Sequence, residues 1–176
     1  MACKFAVVAF CLFIVGYVDA ADNDAWSVLS GEMEFFMVTR SYRRGDGTNE
    51  CPYMKQQSKD ESARTLTTLM GYRDGSTKQF IGPVTYTVTA QADATGAYNV
   101  VTVTGGPSPL DYELVHTDGN GCNILKGKEG LFDGKCELWA PPGQVANAQE
   151  DACSKQFETL CGEVLETPYK SDCAIP

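Results

Sequence analysis

The chain of 176 residues has a single histidine, His116, and no two of its cysteines fall at Cys-x-x-Cys spacing. A zinc-type centre is therefore poorly supported, since such centres are assembled from closely spaced thiolates and imidazoles. No nucleophile pattern accompanies His116 and no phosphate-cradling glycine loop occurs, so the chain reads as a non-enzyme without a cofactor, with His116 a surface or structural imidazole. Basic residues are also scarce. Fourteen Lys and Arg stand against 23 Asp and Glu, a net charge of −9, which argues against nucleic acid or an anionic membrane as partner. A cationic ligand is what such a field would draw in. Beyond residue 20 no apolar run approaches the roughly 20 residues needed to span a bilayer, and there is no internal repeat or low-complexity segment.

The first twenty residues differ from the rest. Lys4 is followed by an almost wholly apolar run from Phe5 to Val18, and Val18-Asp19-Ala20 places small residues where a signal peptidase reads. The expectation is a signal peptide over residues 1–20, a single secreted domain over 21–176, and no membrane anchor. Losing that segment removes one Lys and one Asp, which leaves the charge at −9, and it removes Cys3 and Cys11. Six cysteines remain, at 51, 122, 136, 153, 161 and 173. An even number bound for an oxidising compartment implies three disulfides, whose pairing spacing alone leaves open.

The mature chain opens with a short helical pattern, Asp22 to Ser30, with Asp22 or Asp24 able to cap it and Trp26 set to plug an end of the core. Eight strands follow, at Met33–Tyr42, Cys51–Gln57, Arg64–Tyr72, Val84–Gln91, Ala97–Thr104, Leu110–Thr117, Gly121–Lys126 and Lys135–Trp139. Turn signals such as Asp74-Gly75, Gly105-Gly106-Pro107 and Asp133-Gly134 separate them. The strict alternation in Val84–Thr89 and Val101–Thr104 gives each strand one apolar face. No helix lies between strands to make parallel crossovers, so the class is all-β and antiparallel, a closed barrel or a sandwich. After Pro141-Pro142-Gly143 the period changes to helical. Asn147 and Glu150 have capping-box spacing, Cys153, Phe157, Leu160, Cys161 and Val164 share a stripe, and the helix ends either at Gly162 or towards Thr167.

The order signal peptide, eight strands, late helix and cysteine-bearing tail resembles a lipocalin, and one spelling narrows it. Cys122-Asn123-Ile124, Glu137-Leu138-Trp139 and Cys153 are similar to the amine-binding pattern of tick salivary lipocalins: Cys-Asp-aliphatic, Glu-Leu-Trp or Glu-Leu-Tyr, then Cys. The resemblance extends over the mature chain. Its short helical start and compact loops are most like soft-tick (argasid) members that bind histamine or serotonin, a pigeon-tick allergen among them. It implies an eight-stranded antiparallel lipocalin barrel with a helix on its outside, and the disulfides Cys51–Cys173, Cys122–Cys153 and Cys136–Cys161. It also implies a monomeric, anti-inflammatory scavenger whose small-molecule partner is histamine or serotonin.

The chemistry agrees with that implication. A protonated amine needs a carboxylate and π-faces, and Glu137 and Trp139, two apart on a strand, share a face, which in the family pattern is the cavity face. Asn123 departs from the pattern, which has Asp there, so a single amine site is expected. Further wall candidates are Phe35, Tyr42, Tyr98, Tyr112 and Glu113. Phe35 and Phe36 point to opposite faces, as do Tyr112 and Glu113, and alternation alone does not say which face is inside. Alternative readings are a scavenger of leukotriene- or thromboxane-type lipid mediators, and a complement- or integrin-directed inhibitor acting through loops such as Arg44-Gly45-Asp46.

Overall fold

The computed structural model describes residues 23–44 and 49–176. The signal segment, Asp22, and Gly45 and Asp46 of the Arg-Gly-Asp triplet lie outside the described residues. A short helix, α1 (Ala25–Gly31), precedes eight strands: β1 (Glu34–Arg40), β2 (Asn49–Asp60), β3 (Thr65–Asp74), β4 (Phe80–Gln91), β5 (Val100–Thr104), β6 (Leu110–His116), β7 (Asn123–Gly127) and β8 (Cys136–Ala140). Each strand pairs antiparallel with the next, and β1 pairs with β8, so the sheet closes into a barrel. Closure settles the choice between barrel and sandwich, and it removes the edge strands that an open sheet would expose.

Asp24 caps α1, accepting from the backbone N–H groups of Trp26 and Ser27. The helix lies across one end of the barrel, where Ala25 N–H donates to the Tyr98 carbonyl and Asn23 is bonded to Val115 and Thr117. Ala25 and Leu29 are its buried residues, whereas Trp26 is half-buried and donates from Nε1 to Glu61. Strand β4 starts earlier than its alternation signals, because the β3/β4 hairpin continues through Tyr72↔Ile81 and Arg73↔Phe80 past a bulge. Gly82-Pro83 sits at that irregularity, where the missing proline N–H costs the ladder least.

The packed core is divided. One cluster lies on the outer face of β1, β7 and β8, where Phe36, Val38, Ile124, Leu138 and Ala140 meet Val145 and Ala148 of α2 (Val145–Ala148) and Phe157 of α3 (Asp151–Cys161). The other lines the barrel interior. The capping box expected from Asn147 and Glu150 does not form. Asn147 lies within α2, so its side chain cannot reach the start of α3 and donates instead to the Asn120 carbonyl. Glu150, in extended conformation, precedes α3 without a side-chain cap, and α3 ends at Cys161 before Gly162 at φ 77°.

The disulfides are Cys51–Cys173, Cys122–Cys153 and Cys136–Cys161, the same pairs that the resemblance implies. Two of them fasten α3 to β8 and to the residue before β7. The third holds the tail, whose Glu166 pairs with Arg40 through backbone bonds while Cys51 N–H donates to the Pro168 carbonyl. The tail therefore occupies the gap beyond Phe36↔Tyr53, the last register pair of β1 and β2. A chain-entropy account makes the bridge of 122-residue separation worth about 5 kcal/mol and that of 25 residues about 3.5 kcal/mol. Urea unfolding of Cys51→Ser/Cys173→Ser and Cys136→Ser/Cys161→Ser is expected to show the larger loss in the first variant. The reverse order would locate the stabilisation in the native packing of α3.

Candidate functional site

Strand β8 builds the site through its alternation. Cys136, Leu138 and Ala140 face the outer core, and Glu137 and Trp139 face the interior, where a cavity of about 350 Å³ opens. The register places Glu137 between Arg40 of β1 and Leu125 of β7. Glu137 is 5% exposed. Its Oε1 accepts from the Tyr42 hydroxyl at 2.5 Å, and its Oε2 accepts from Trp139 Nε1 at 2.9 Å. Burial pushes the Glu137 carboxyl above its ordinary range, while those two hydrogen bonds and the charges of Arg40 and Arg44 pull it back. Tyr42 and Tyr112 are both raised as well, first by burial and then by the charge of Glu137, so both phenols stay neutral donors. Among the described residues that line the cavity, Glu137 is the only acid and Arg44 the only base.

A buried ion pair anchors this arrangement from behind. Arg40 is 2% exposed and pairs with Glu166 of the tail through Nε and Nη2, and it donates from Nη1 to Asn49 Oδ1. Its guanidinium lies 5.3 Å from the centre of the Tyr42 ring. Glu166 Oε1 also accepts from Arg44 N–H, so the tail carboxylate holds the residues that follow β1. Phe132, in the turn before β8, packs edge-on against Tyr42 and tilted against Tyr112. Gly127 makes that possible, because a Cβ there would run into the Phe132 carbonyl.

Of the residues singled out from sequence, Glu137, Trp139, Asn123, Phe35, Tyr42 and Tyr112 line the cavity. Tyr98 and Glu113 do not. Tyr98 lies in the turn before β5, which begins only at Val100. It is 38% exposed, with the Arg64 guanidinium stacked 3.4 Å from its ring centre. Glu113 neighbours the inward-facing Tyr112, so strand alternation turns it out of the barrel. Sequence reasoning missed Met37, Asn49 and Phe132 as wall residues. Met37 was within reach, two positions after Phe35 on the same face, whereas no periodicity marks Phe132 in a turn.

Asn123 is hydrogen-bonded from both ends of its amide. Its Oδ1 accepts from Thr117 Oγ1 at 2.7 Å, and its Nδ2 donates to the Trp139 carbonyl at 3.0 Å. With Phe35 and Val28 it also borders a second cleft of about 310 Å³ behind α1.

A closed eight-stranded antiparallel barrel with a small-molecule cavity and an external helix defines a lipocalin. The tick histamine binding protein family matches residues 19–175, and the chain belongs to that family. Japanin from Rhipicephalus appendiculatus, solved bound to cholesterol, superposes with a TM-score of 0.60 at 14% identity, over 80% of this chain and 95% of its own. Lobster apocrustacyanin A1 gives 0.57 at 10% identity, over 88% of each chain. Apocrustacyanin C2 gives 0.58 at 9%, again over 88% of each. At such identities these likenesses concern the fold. Comparison with curated protein sequences gave no match. The chain is thus a ligand-binding lipocalin, and no helix among the described residues is long and apolar enough to cross a membrane.

Two outcomes follow from the geometry. Because Glu137 holds its proton more tightly folded than unfolded, its contribution to stability is most favourable below the ordinary value of 4.5 and declines as pH rises through the raised value. Glu137→Gln lacks this titration. Thermal melts should show the variant gaining on the parent between acid and neutral pH, and a constant difference would place the group near its ordinary pKa. In Asn123→Asp a carboxylate would face the Trp139 carbonyl in place of a donor. A loss of about 1–3 kcal/mol at neutral pH, relieved in acid, is expected by chemical denaturation.

Proposed function

We propose that this protein is a secreted, monomeric, non-enzymatic scavenger that binds a host biogenic amine, histamine or serotonin, in the barrel cavity and so suppresses inflammation. The observation that carries the reading is the buried carboxylate of Glu137, the one acid among the described residues of the cavity wall, set between a phenol and an indole. An ionised carboxylate has about four acceptor positions, and Tyr42 and Trp139 occupy one on each oxygen. The remaining lone pairs can take an ammonium, whose charge also offsets the burial that raises Glu137. The rings of Tyr42, Tyr112, Phe132 and Trp139 offer π-faces to the same cation.

One amine per protein is the expected stoichiometry. Where the family pattern has an acid, the Asn123 amide supplies its own donor to the Trp139 carbonyl and has no need of a cation. The six cysteines in three bridges and the signal-like residues 1–20 support secretion, since such bridges persist in oxidising compartments.

One observation favours a second reading, a scavenger of lipid mediators of the leukotriene or thromboxane type. Arg44, the one base among the described lining residues, could meet a ligand carboxylate. Calorimetric titration separates the two. One-to-one binding of histamine or serotonin is expected, weakened about tenfold to a hundredfold in Glu137→Gln, equivalent to the roughly 1.5–3 kcal/mol of a hydrogen bond to a charged group. Absence of binding up to millimolar amine, or affinity unchanged in Glu137→Gln, would overturn the amine reading. Tight binding of a lipid acid that Arg44→Ala abolishes would establish the other.

A further inference from the structure

The cavity is longer and more apolar than its carboxylate requires. We infer that the amine it takes best is lipophilic: a primary ammonium at Glu137 joined to an alkyl chain, or a comparably extended apolar body, laid along the barrel towards α1. The inference rests on the reading of Glu137 as the ammonium partner and names the class of amine.

Glu137 and α1 mark opposite ends of the space. Glu137 is the second residue of β8 and is level with Arg40, the last residue of β1, whereas α1 lies beside the start of β1. At about 3.3 Å per residue along a strand, Phe35 and Arg40 are separated by about 16 Å. Between these levels Leu29, Met54, Val88, Val101 and Leu114 line the cavity and belong to the interior apolar cluster. None of them carries a hydrogen-bonding side chain. The polar residue nearest that end, Asn123, has both ends of its amide bonded within the protein.

A volume of about 350 Å³ falls in the range of roughly 300–1,000 Å³ that encloses drug-sized ligands. A small polar amine held at Glu137 would leave the far part to water, which needs two to four polar partners to be stably held and finds few here. A second polar group that reached those aliphatic walls would pay a desolvation cost that no hydrogen bond there offsets. An alkyl chain meets neither difficulty. Each methylene it buries is worth about fourfold in affinity, the equivalent of about 0.8 kcal/mol.

The test is a calorimetric or competition series of propylamine, hexylamine and decylamine, with decanoate as the acid of matched length, against the full chain and Glu137→Gln. Affinity is expected to climb by about an order of magnitude per added pair of buried methylenes, to exceed that for histamine by decylamine, and to fall in Glu137→Gln by a similar factor for every amine. Val101→Trp, which fills the far compartment, is expected to reduce the gain per methylene. The series on the parent protein decides the matter even where that variant does not fold. Affinity that stays flat with chain length, while propylamine still depends on Glu137, overturns this inference and leaves the amine reading in place. Decanoate that binds more tightly than decylamine, undiminished in Glu137→Gln, overturns the amine reading itself.

Discussion

The structure depends on the division of labour along β8. In five residues it turns Cys136, Leu138 and Ala140 outward beneath α2 and α3, and Glu137 and Trp139 inward to the cavity. A barrel that keeps space inside gives up packing contacts there, and emptied cores are costly. Here much of the tight packing has moved to the outer face, where Phe157 is wholly buried against the strands and disulfides from Cys136 and Cys122 hold α3 in place. The interior is then free to be shaped by ligand chemistry, and a one-residue slip of β8 would exchange the two faces and destroy both.

The charged groups near the cavity form one connected arrangement. Glu166 of the tail pairs with Arg40, Arg40 lies over Tyr42, and Tyr42 donates to Glu137, which also accepts from Trp139. Each buried charge thus has a partner or donors, as burial requires. Glu137 nevertheless remains a carboxyl that burial perturbs upward, because its donors are neutral and the Arg40 guanidinium is spent on Glu166 and Asn49. That imbalance is what suits the position to receiving a cation. It also gives the tail, pinned through Cys51–Cys173, a part in placing the cavity wall.

The barrel was legible in the sequence to the extent that alternation and turn chemistry repeat. Runs such as Val84–Thr89 and turns such as Asp133-Gly134 fall where the structure has strands and reversals, though β2 and β4 extend further because hairpin partners prolong them. Local rules failed where a neighbour from elsewhere intervened. Asn147 reads as a helix cap but sits inside α2 and bonds to Asn120, and Tyr98 reads as a strand residue but lies in a turn that packs against α1 and Arg64. Tyr112 and Glu113 were indistinguishable until closure of the barrel declared one face interior.

By itself the sequence determined an all-β antiparallel domain, three bridges' worth of cysteines, an amphipathic late helix, and a carboxylate and an indole on a common strand face. These follow from periodicity and residue type, which act over a few residues. Tertiary structure alone decided that the faces of β8 belong to different cores, that Tyr42 and Trp139 donate to Glu137, and that Asn123 is bonded to the Trp139 carbonyl. It also decided that the tail enters between β1 and β2. Those facts join residues up to 126 positions apart, and their energies exist only once closure has removed water from between them.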